Sequence, residues 1–307
     1  MTNKYAYVFP GQGSQSVGML AEMALQYPEV QQTFALASAV LNYDLWQLVS
    51  HGPAEALNQT DKTQPALLAA SYAIWQIAKR INAPQPSILA GHSLGEYTAL
   101  VCAESLRFED GIKLVAARGE FMQQAVAAGV GAMAAIIGLD DAAVAAICIE
   151  VSREQDMVSP ANFNSVGQVV VAGHKAAVDR AIVIAKEKGA AMAVLIPVSV
   201  PSHCELMRPA AQQLAVLLET INFAVPQVPV LNNVDVTLYQ SADDIRAGLT
   251  KQLYKPVRWV ETIQAFVELG VTHVFECGPG KVLSGLNKRI NKSLQLITAA
   301  NIDTLVA

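Results

Sequence analysis

Gly91-His92-Ser93-Leu94-Gly95 is the segment of this chain best suited to chemistry. The apolar run Ser87-Ile88-Leu89-Ala90 precedes it, and a helix-compatible stretch opens at Glu96-Tyr97. Strand, sharp turn and helix with a serine at the apex is the pattern of a nucleophile elbow. The glycines serve a steric purpose, because so tight a reversal brings strand and helix closer than a Cβ allows. The hydroxyl then stands at a helix N-terminus, where free N–H groups stabilise a developing oxyanion. An ordinary glycine turn with a capping serine is the competing reading, and the flanking strand and helix weigh against it.

A serine nucleophile needs a base. Of the five histidines, His51 and His174 sit in polar, turn-like contexts and His273 starts a strand. His92 adjoins Ser93, but neighbouring side chains at a sharp turn point apart. His203 follows Val200-Pro201-Ser202 in a loop after a strand and is the candidate base, with a solvated loop histidine as the alternative. No aspartate between Ser93 and His203 stands out as the acid that would orient the imidazole.

Arg118 falls within an apolar stripe of Leu114, Val115, Phe121, Met122 and Ala125, at the spacing of one helix face. No acidic residue on that face can pair with it, and a desolvated guanidinium without a carboxylate is strongly unfavourable. Three partners remain open: a core acid from elsewhere, the carboxylate of a substrate gripped through two parallel hydrogen bonds, or solvent reached by snorkelling.

The elements that must position these groups follow from the apolar pattern. A strand at Tyr5–Phe9 runs into Pro10-Gly11-Gln12-Gly13. Neither a dinucleotide fingerprint nor a P-loop fits there, since Ser16 stands where a third glycine belongs and no Gly-Lys-Ser/Thr follows. What remains is an amide-rich loop at a strand's carboxyl end, suited to supply an oxyanion donor. Helices are expected at 28–42, 64–81 and from an Asp110 N-cap to Ala127. Residues 130–198 read β-α-β-β-α-β: strands at 132–138, 157–163, 168–172 and 191–198, with helices from Asp140 to Val151 and Ala176 to Lys188. Beyond Pro201 come helices at 206–221, 245–253 and 257–269, strands at 228–231 and 272–276, and a last helix after Gly278-Pro279-Gly280. The expectation is an α/β core interrupted by one small inserted domain, whose two connections, near 128 and 199, lie side by side.

Hydrophobic residues form 52% of the chain and charged residues 15%, so a large packed core is expected and disorder is not. A net charge of -5 argues against a nucleic-acid footprint. No secretory leader or bilayer-spanning run is apparent. The four cysteines lack metal or disulfide spacing, so buried thiols and a reducing, cytoplasmic setting are expected.

Phe9-Pro10-Gly11-Gln12-Gly13-Ser14-Gln15, Gly91-His92-Ser93-Leu94-Gly95-Glu96-Tyr97, Arg118-Gly119, Asn162-Phe163-Asn164-Ser165, Val200-Pro201-Ser202-His203 and Glu276-Cys277-Gly278-Pro279-Gly280 together resemble the malonyl-CoA:acyl-carrier-protein transacylase family. The resemblance runs in order along essentially the whole chain, and Cys277 is the departure, with nothing catalytic resting on it. It implies an α/β-hydrolase-like core with a mostly parallel sheet, residues 1–128 and 199–307, and an inserted ferredoxin-like subdomain, residues 129–198. It further implies Ser93 as nucleophile, His203 as general base, the N–H groups of Gln12 and Leu94 as oxyanion hole, and Arg118 holding the malonyl carboxylate. Asn162 and Gln64 match pocket positions, and the main-chain carbonyl of Gln252 would orient His203 in place of an acid. The implied reaction is ping-pong transfer from malonyl-CoA to the phosphopantetheine thiol of acyl carrier protein, with no metal or redox cofactor required; nothing in the sequence demands more than a monomer, and composition points to no nucleic-acid or membrane partner. Lys281, Lys288 and Lys292, at helical spacing with Arg289 beside them, are a candidate docking face for the acidic carrier or the CoA phosphates, against the plainer reading of a solvated face. Rival readings are an acyltransferase of a polyketide or polyunsaturated lipid pathway, which shares every motif, and a serine esterase or thioesterase, which has no use for a buried arginine.

Overall fold

The computed structural model describes residues 3–198 and 200–305. Its strands, in chain order, are β1 (Tyr5–Phe9), β2 (Ile88–Gly91), β3 (Gly131–Ile137), β4 (Val158–Ser165), β5 (Gln168–His174), β6 (Met192–Leu195), β7 (Val230–Leu231), β8 (His273–Glu276) and β9 (Gln295–Thr298). They form two sheets, ordered β7-β2-β1-β8-β9 and β4-β5-β3-β6.

Every pairing in the five-stranded sheet is parallel. Parallel strands are covered on both faces, so their apolar residues run continuously rather than alternating with polar ones. The alternation survives as a choice of core. Ala6, Val8, Ile88 and Ala90 pack with Trp259, Ile263 and Phe266, while Tyr7, Phe9 and Leu89 join the larger cluster around Leu67, Ala70 and Tyr97. Helix Thr60–Arg80 is buried along most of its length and lies against helix Phe108–Gln124. Gly119 makes that approach possible, since a Cβ there would stand 2.6 Å from the Asp61 Cα. The same approach places Arg118 beside Gln64.

The second sheet is antiparallel, with β3 central between β5 and β6. Helices Asp141–Val151 and Lys175–Glu187 cover one face through Val144, Ile147, Val178 and Ala181. Its outer strand β4 binds the other half of the molecule: Phe163 N–H donates to Val257 O at 2.9 Å and Val257 N–H to Ala161 O at 2.9 Å. Gly131 lies against Pro201, where a Cβ would approach the ring to 2.4 Å, so chain entry to and exit from this sheet are adjacent. The return connection expected near 199 falls on a residue outside those described.

Several expected boundaries move. The helix carrying Arg118 starts at Phe108 with Arg107 in the cap position, so Asp110 sits in its first turn rather than at the cap. Phe108 is buried and extends the apolar face past Asp110, the expected helix start. Strand β6 stops at Leu195, and the expected helix from 206 divides into a short 3-10 turn, Glu205–Met207, and helix Arg208–Leu218. Helix Leu45–His51, capped where Asp44 accepts from the Gln47 N–H at 2.8 Å, and strand β9 were not anticipated. The last helix spans only Val282–Ile290, which leaves Lys281 at its cap and Lys292 in the following turn. The four terminal cations are all exposed but do not share a helical face. All four cysteines are free and buried, as expected. No helix among the described residues is long and apolar enough to cross a membrane.

Candidate active site

Ser93 stands between the carboxyl end of β2 and helix Gly95–Cys102 with φ at 51°, the left-handed conformation of a strained turn. Both flanking glycines are sterically required. A Cβ at Gly91 would lie 1.8 Å from the Gly95 carbonyl carbon, and one at Gly95 would lie 2.0 Å from Phe9 O. Asn233 clamps the turn from outside: its Oδ1 accepts from the Ser93 N–H at 2.6 Å and its Nδ2 donates to Gly91 O.

His203 is 3% exposed and packs where the notional solvated loop would be. Its Nε2 lies 2.7 Å from Ser93 Oγ and its Nδ1 lies 2.7 Å from Gln252 O. A carbonyl can only accept, so Nδ1 carries the proton and Nε2 is left free to accept from the serine hydroxyl. Burial, reinforced by the Arg118 charge, pushes the imidazole down to about 3. The ring is therefore neutral near pH 7, with the Nε2 lone pair available to the serine hydroxyl.

Arg118 is 1% exposed, which removes the snorkelling reading. Its Nη1 donates to Gln64 Oε1 at 2.8 Å, and its Nη2 donates to Gln252 Oε1 at 3.0 Å and to Ser93 Oγ at 3.2 Å. Among the described residues no carboxylate pairs with it within 4.0 Å, and its Nε has no partner. The Tyr97 ring lies beneath, 5.3 Å from the guanidinium carbon. Glu96 acts on it electrostatically but is separated from it by the Gln252 amide. Of the three partners left open by the sequence, solvent is removed by burial and no core acid pairs with the guanidinium among the described residues.

Gln12, Gln64, Ser93, Leu94, Arg118, Asn162 and His203 all line one cleft of about 420 Å³. Met133, Asn164 and Val170 of the antiparallel sheet form its other wall. Gln252 is fully buried behind it. Among the described residues neither the Gln12 nor the Leu94 N–H has an internal acceptor, so both remain free for an oxyanion. Asn162 is buried and Gln64 holds the outer guanidinium nitrogen.

Of the remaining histidines only His92 lines the cleft, and its ring pairs with Asn164 rather than Ser93. His92 Nε2 meets Asn164 Oδ1 at 2.8 Å, His273 stacks on Tyr5 with ring centres 4.7 Å apart, His51 is exposed, and His174, just before helix Lys175–Glu187, accepts from the Met157 N–H. No local pattern marks Asn233 or Tyr239, and sequence reasoning also passed over Glu96, the acid that Tyr239 holds. An acid three residues past the nucleophile, inside an otherwise apolar helix, is the signal that was present for Glu96.

Serine and imidazole in contact, free N–H groups nearby and an arginine facing the cleft define the chain as an acyltransferase. The model of the acyl transferase domain family matches residues 6–302. The chain is 58% identical to a malonyl CoA-acyl carrier protein transacylase of Salmonella typhimurium, over 95% of this chain and 94% of that protein. The solved structure of such a transacylase from Coxiella burnetii superposes with a TM-score of 0.97 at 51% identity, covering 99% of this chain and 96% of that one. A malonyl-transacylase solved in complex with a type II polyketide acyl-carrier protein gives 0.97 at 54% identity, with 99% of both chains covered. The chain belongs to the malonyl CoA-acyl carrier protein transacylase family.

Proposed function

We propose that this chain moves a malonyl group from malonyl-CoA to the phosphopantetheine thiol of acyl carrier protein through a malonyl-Ser93 intermediate. The observation that carries the reading is Arg118, whose Nη2 lies 3.2 Å from Ser93 Oγ and which, among the described residues, has no internal acid to hold. In a malonyl ester two carbon–carbon bonds of about 1.5 Å separate the carbonyl carbon from the carboxylate carbon. A grip this close to the nucleophile therefore suits a short diacid and lies too near for a longer one.

In the first half-reaction the Ser93 proton passes to His203 Nε2 as Oγ attacks the thioester carbonyl. The Gln12 and Leu94 N–H groups receive the oxyanion, each worth roughly two to three orders of magnitude in rate. The intermediate collapses, and the departing CoA sulfur takes the proton from His203. In the second half the carrier thiol gives its proton to His203, its sulfur attacks the ester, and Oγ leaves with that proton. Every step uses groups of this chain and its two substrates, so we assign no cofactor.

On the same footing we read residues 1–128 and 199–307 as an α/β-hydrolase-like core and 129–198 as an inserted ferredoxin-like subdomain, supported by the element order and sheet order above. A site completed within one chain supports action as a monomer, and four free thiols support a cytoplasmic setting. For the carrier we favour the surface of Lys281, Lys288, Arg289 and Lys292, all exposed and, among the described residues, without an acidic partner within 4.0 Å. The polyketide carrier in the complex noted above makes a polyketide acceptor the second reading. Intact-mass measurement after mixing with malonyl-CoA tests the core of the proposal. The parent should gain one malonyl group and Ser93→Ala none; an adduct on Ser93→Ala would place the nucleophile elsewhere.

A further inference from the structure

The transfer as derived makes no use of Glu96, yet this carboxylate is 1% exposed and is joined to the Ser93 main chain through the Gln252 amide. We propose that Glu96 is a positioning residue: by accepting from the Gln252 side-chain amide it fixes that amide with its oxygen toward Arg118, and so aims the guanidinium at the acyl carboxylate. The inference rests on the reading of Arg118 as the carboxylate grip.

Gln252 is the junction. Its Nε2 donates to Glu96 Oε2 at 2.7 Å and to Ser93 O at 3.0 Å, while its Oε1 accepts from Arg118 Nη2 at 3.0 Å. Its main-chain oxygen holds His203. Two acceptors face one end of the amide and a cationic donor faces the other. A flipped amide would set oxygen against carboxylate and NH₂ against guanidinium, replacing hydrogen bonds with repulsions on both sides. Of the two acceptors that select the orientation, Glu96 is the stronger when ionised; burial pushes its carboxyl up to about 7, against the donors from Tyr239, Gln252 and Asn233 that favour the carboxylate.

Glu96 is itself firmly held. Tyr239 Oη donates to Oε1 and the Asn233 N–H donates to Oε2 at 3.1 Å. Every neighbour donates, the arrangement that suits an ionised acceptor. Gly248 admits the phenol, since a Cβ there would lie 2.4 Å from Tyr239 Oη. An acid in direct contact with Arg118 would occupy the guanidinium permanently. An amide interposed between them transmits orientation while leaving the cleft side of the arginine for substrate.

The test compares kcat and KM for malonyl-CoA and acetyl-CoA, with holo carrier protein as acceptor. For Glu96→Ala the malonyl-to-acetyl ratio of kcat/KM should fall about tenfold, the scale of one lost charge-assisted hydrogen bond, chiefly through a higher KM for malonyl-CoA. Glu96→Asp, which withdraws the acceptor by one methylene and offers a milder change should the alanine variant not fold, should lower the ratio in the same direction. Glu96→Gln should keep it within about twofold, because its amide oxygen still accepts from Gln252 while its NH₂ donates to the Tyr239 hydroxyl. In a Gln252→Ala background, Glu96→Ala should leave the ratio where Gln252→Ala has put it. Equal losses for both acyl donors, a Gln variant as unselective as the Asp variant, or a further drop in that background would each overturn the proposal. Arg118→Ala separates the two levels of inference. If it spares the ratio, the carboxylate-grip reading fails; if it collapses the ratio and the Glu96 variants do not, only the positioning role fails.

Discussion

Replacing Arg118 with alanine measures what a pre-desolvated cation contributes to acyl selection. At about 4 Å and an effective dielectric near 20, two unit charges attract by about 4 kcal/mol. The usual offset is the desolvation of both partners, but Arg118 is already 1% exposed in the folded chain, so only the carboxylate's own desolvation is subtracted on binding. A net loss of about 3–4 kcal/mol corresponds to a fall in kcat/KM for malonyl-CoA of roughly two to three orders of magnitude. Acetyl-CoA offers the guanidinium nothing to bind. For that donor the loss of the Nη2 contact to Ser93 Oγ is opposed by relief of the charge that depresses His203, and a change of less than about fivefold is expected. The assay is initial-rate acylation of holo carrier protein from each CoA ester, resolved by chromatography of the product. Arg118→Lys is the informative control: a point charge cannot hold Gln64 and Gln252 while meeting a carboxylate in the same plane, so it should recover only part of the selectivity. A malonyl-to-acetyl ratio in Arg118→Ala within about threefold of the parent is too small for the lost attraction and would refute the electrostatic argument.

Two further outcomes follow from the same structure. Charge reversal at Lys288 and Arg289 should raise the KM for carrier protein several-fold, more at low salt than at high salt, and leave acylation of Ser93 by malonyl-CoA unchanged; an unaltered carrier KM would move the docking surface elsewhere. For His203, burial lowers the folded-state value from 6.5 to about 3, so between these limits the unfolded chain binds a proton that the folded chain refuses. The contribution is whole above 6.5 and is lost as pH falls toward 3, amounting to about 3 kcal/mol by about pH 4.5. Denaturant titrations at about pH 7 and about pH 4.5 should show a smaller acid loss for His203→Gln than for the parent, and equal losses would contradict the assigned neutral imidazole.

How far the sequence anticipates this site depends on how local each cause is. The elbow is legible because its constraint is steric and contiguous: Gly91 and Gly95 are small for reasons set within five residues of Ser93. Burial of Arg118 is legible because one helix fixes its face by period. Its freedom from an internal acid is only half legible, since that depends on which side chains other elements bring near. Asn233 and Tyr239 reach the elbow across more than 130 positions of sequence, and no local pattern marks them. The same limit explains the misplaced boundaries. Asp110 resembles a helix start, but Phe108 is drawn into the helix by a tertiary pocket. Strand β9 contributes four residues of mixed polarity, too few for alternation to register, and is paired only because β8 offers an open edge.

The absence of an acid behind His203 has a physical reason in this arrangement. Nδ1 needs an acceptor to fix the tautomer, and Gln252 O supplies it at 2.7 Å without a charge. A carboxylate in that place would lie close to Arg118, whose Nη2 already reaches the same residue's side chain at 3.0 Å, and an ion pair within the protein would compete with any acyl carboxylate for the guanidinium. An orienting acid would also raise the imidazole that burial and Arg118 together keep neutral. The carbonyl avoids both effects. Glu96 is admitted to the same region only behind the Gln252 amide, where its charge is spent on donors from Tyr239, Asn233 and Gln252. On the proposed assignment of Arg118, the first carboxylate able to meet it face to face arrives on the acyl group, and selectivity and reactivity are set by one electrostatic condition.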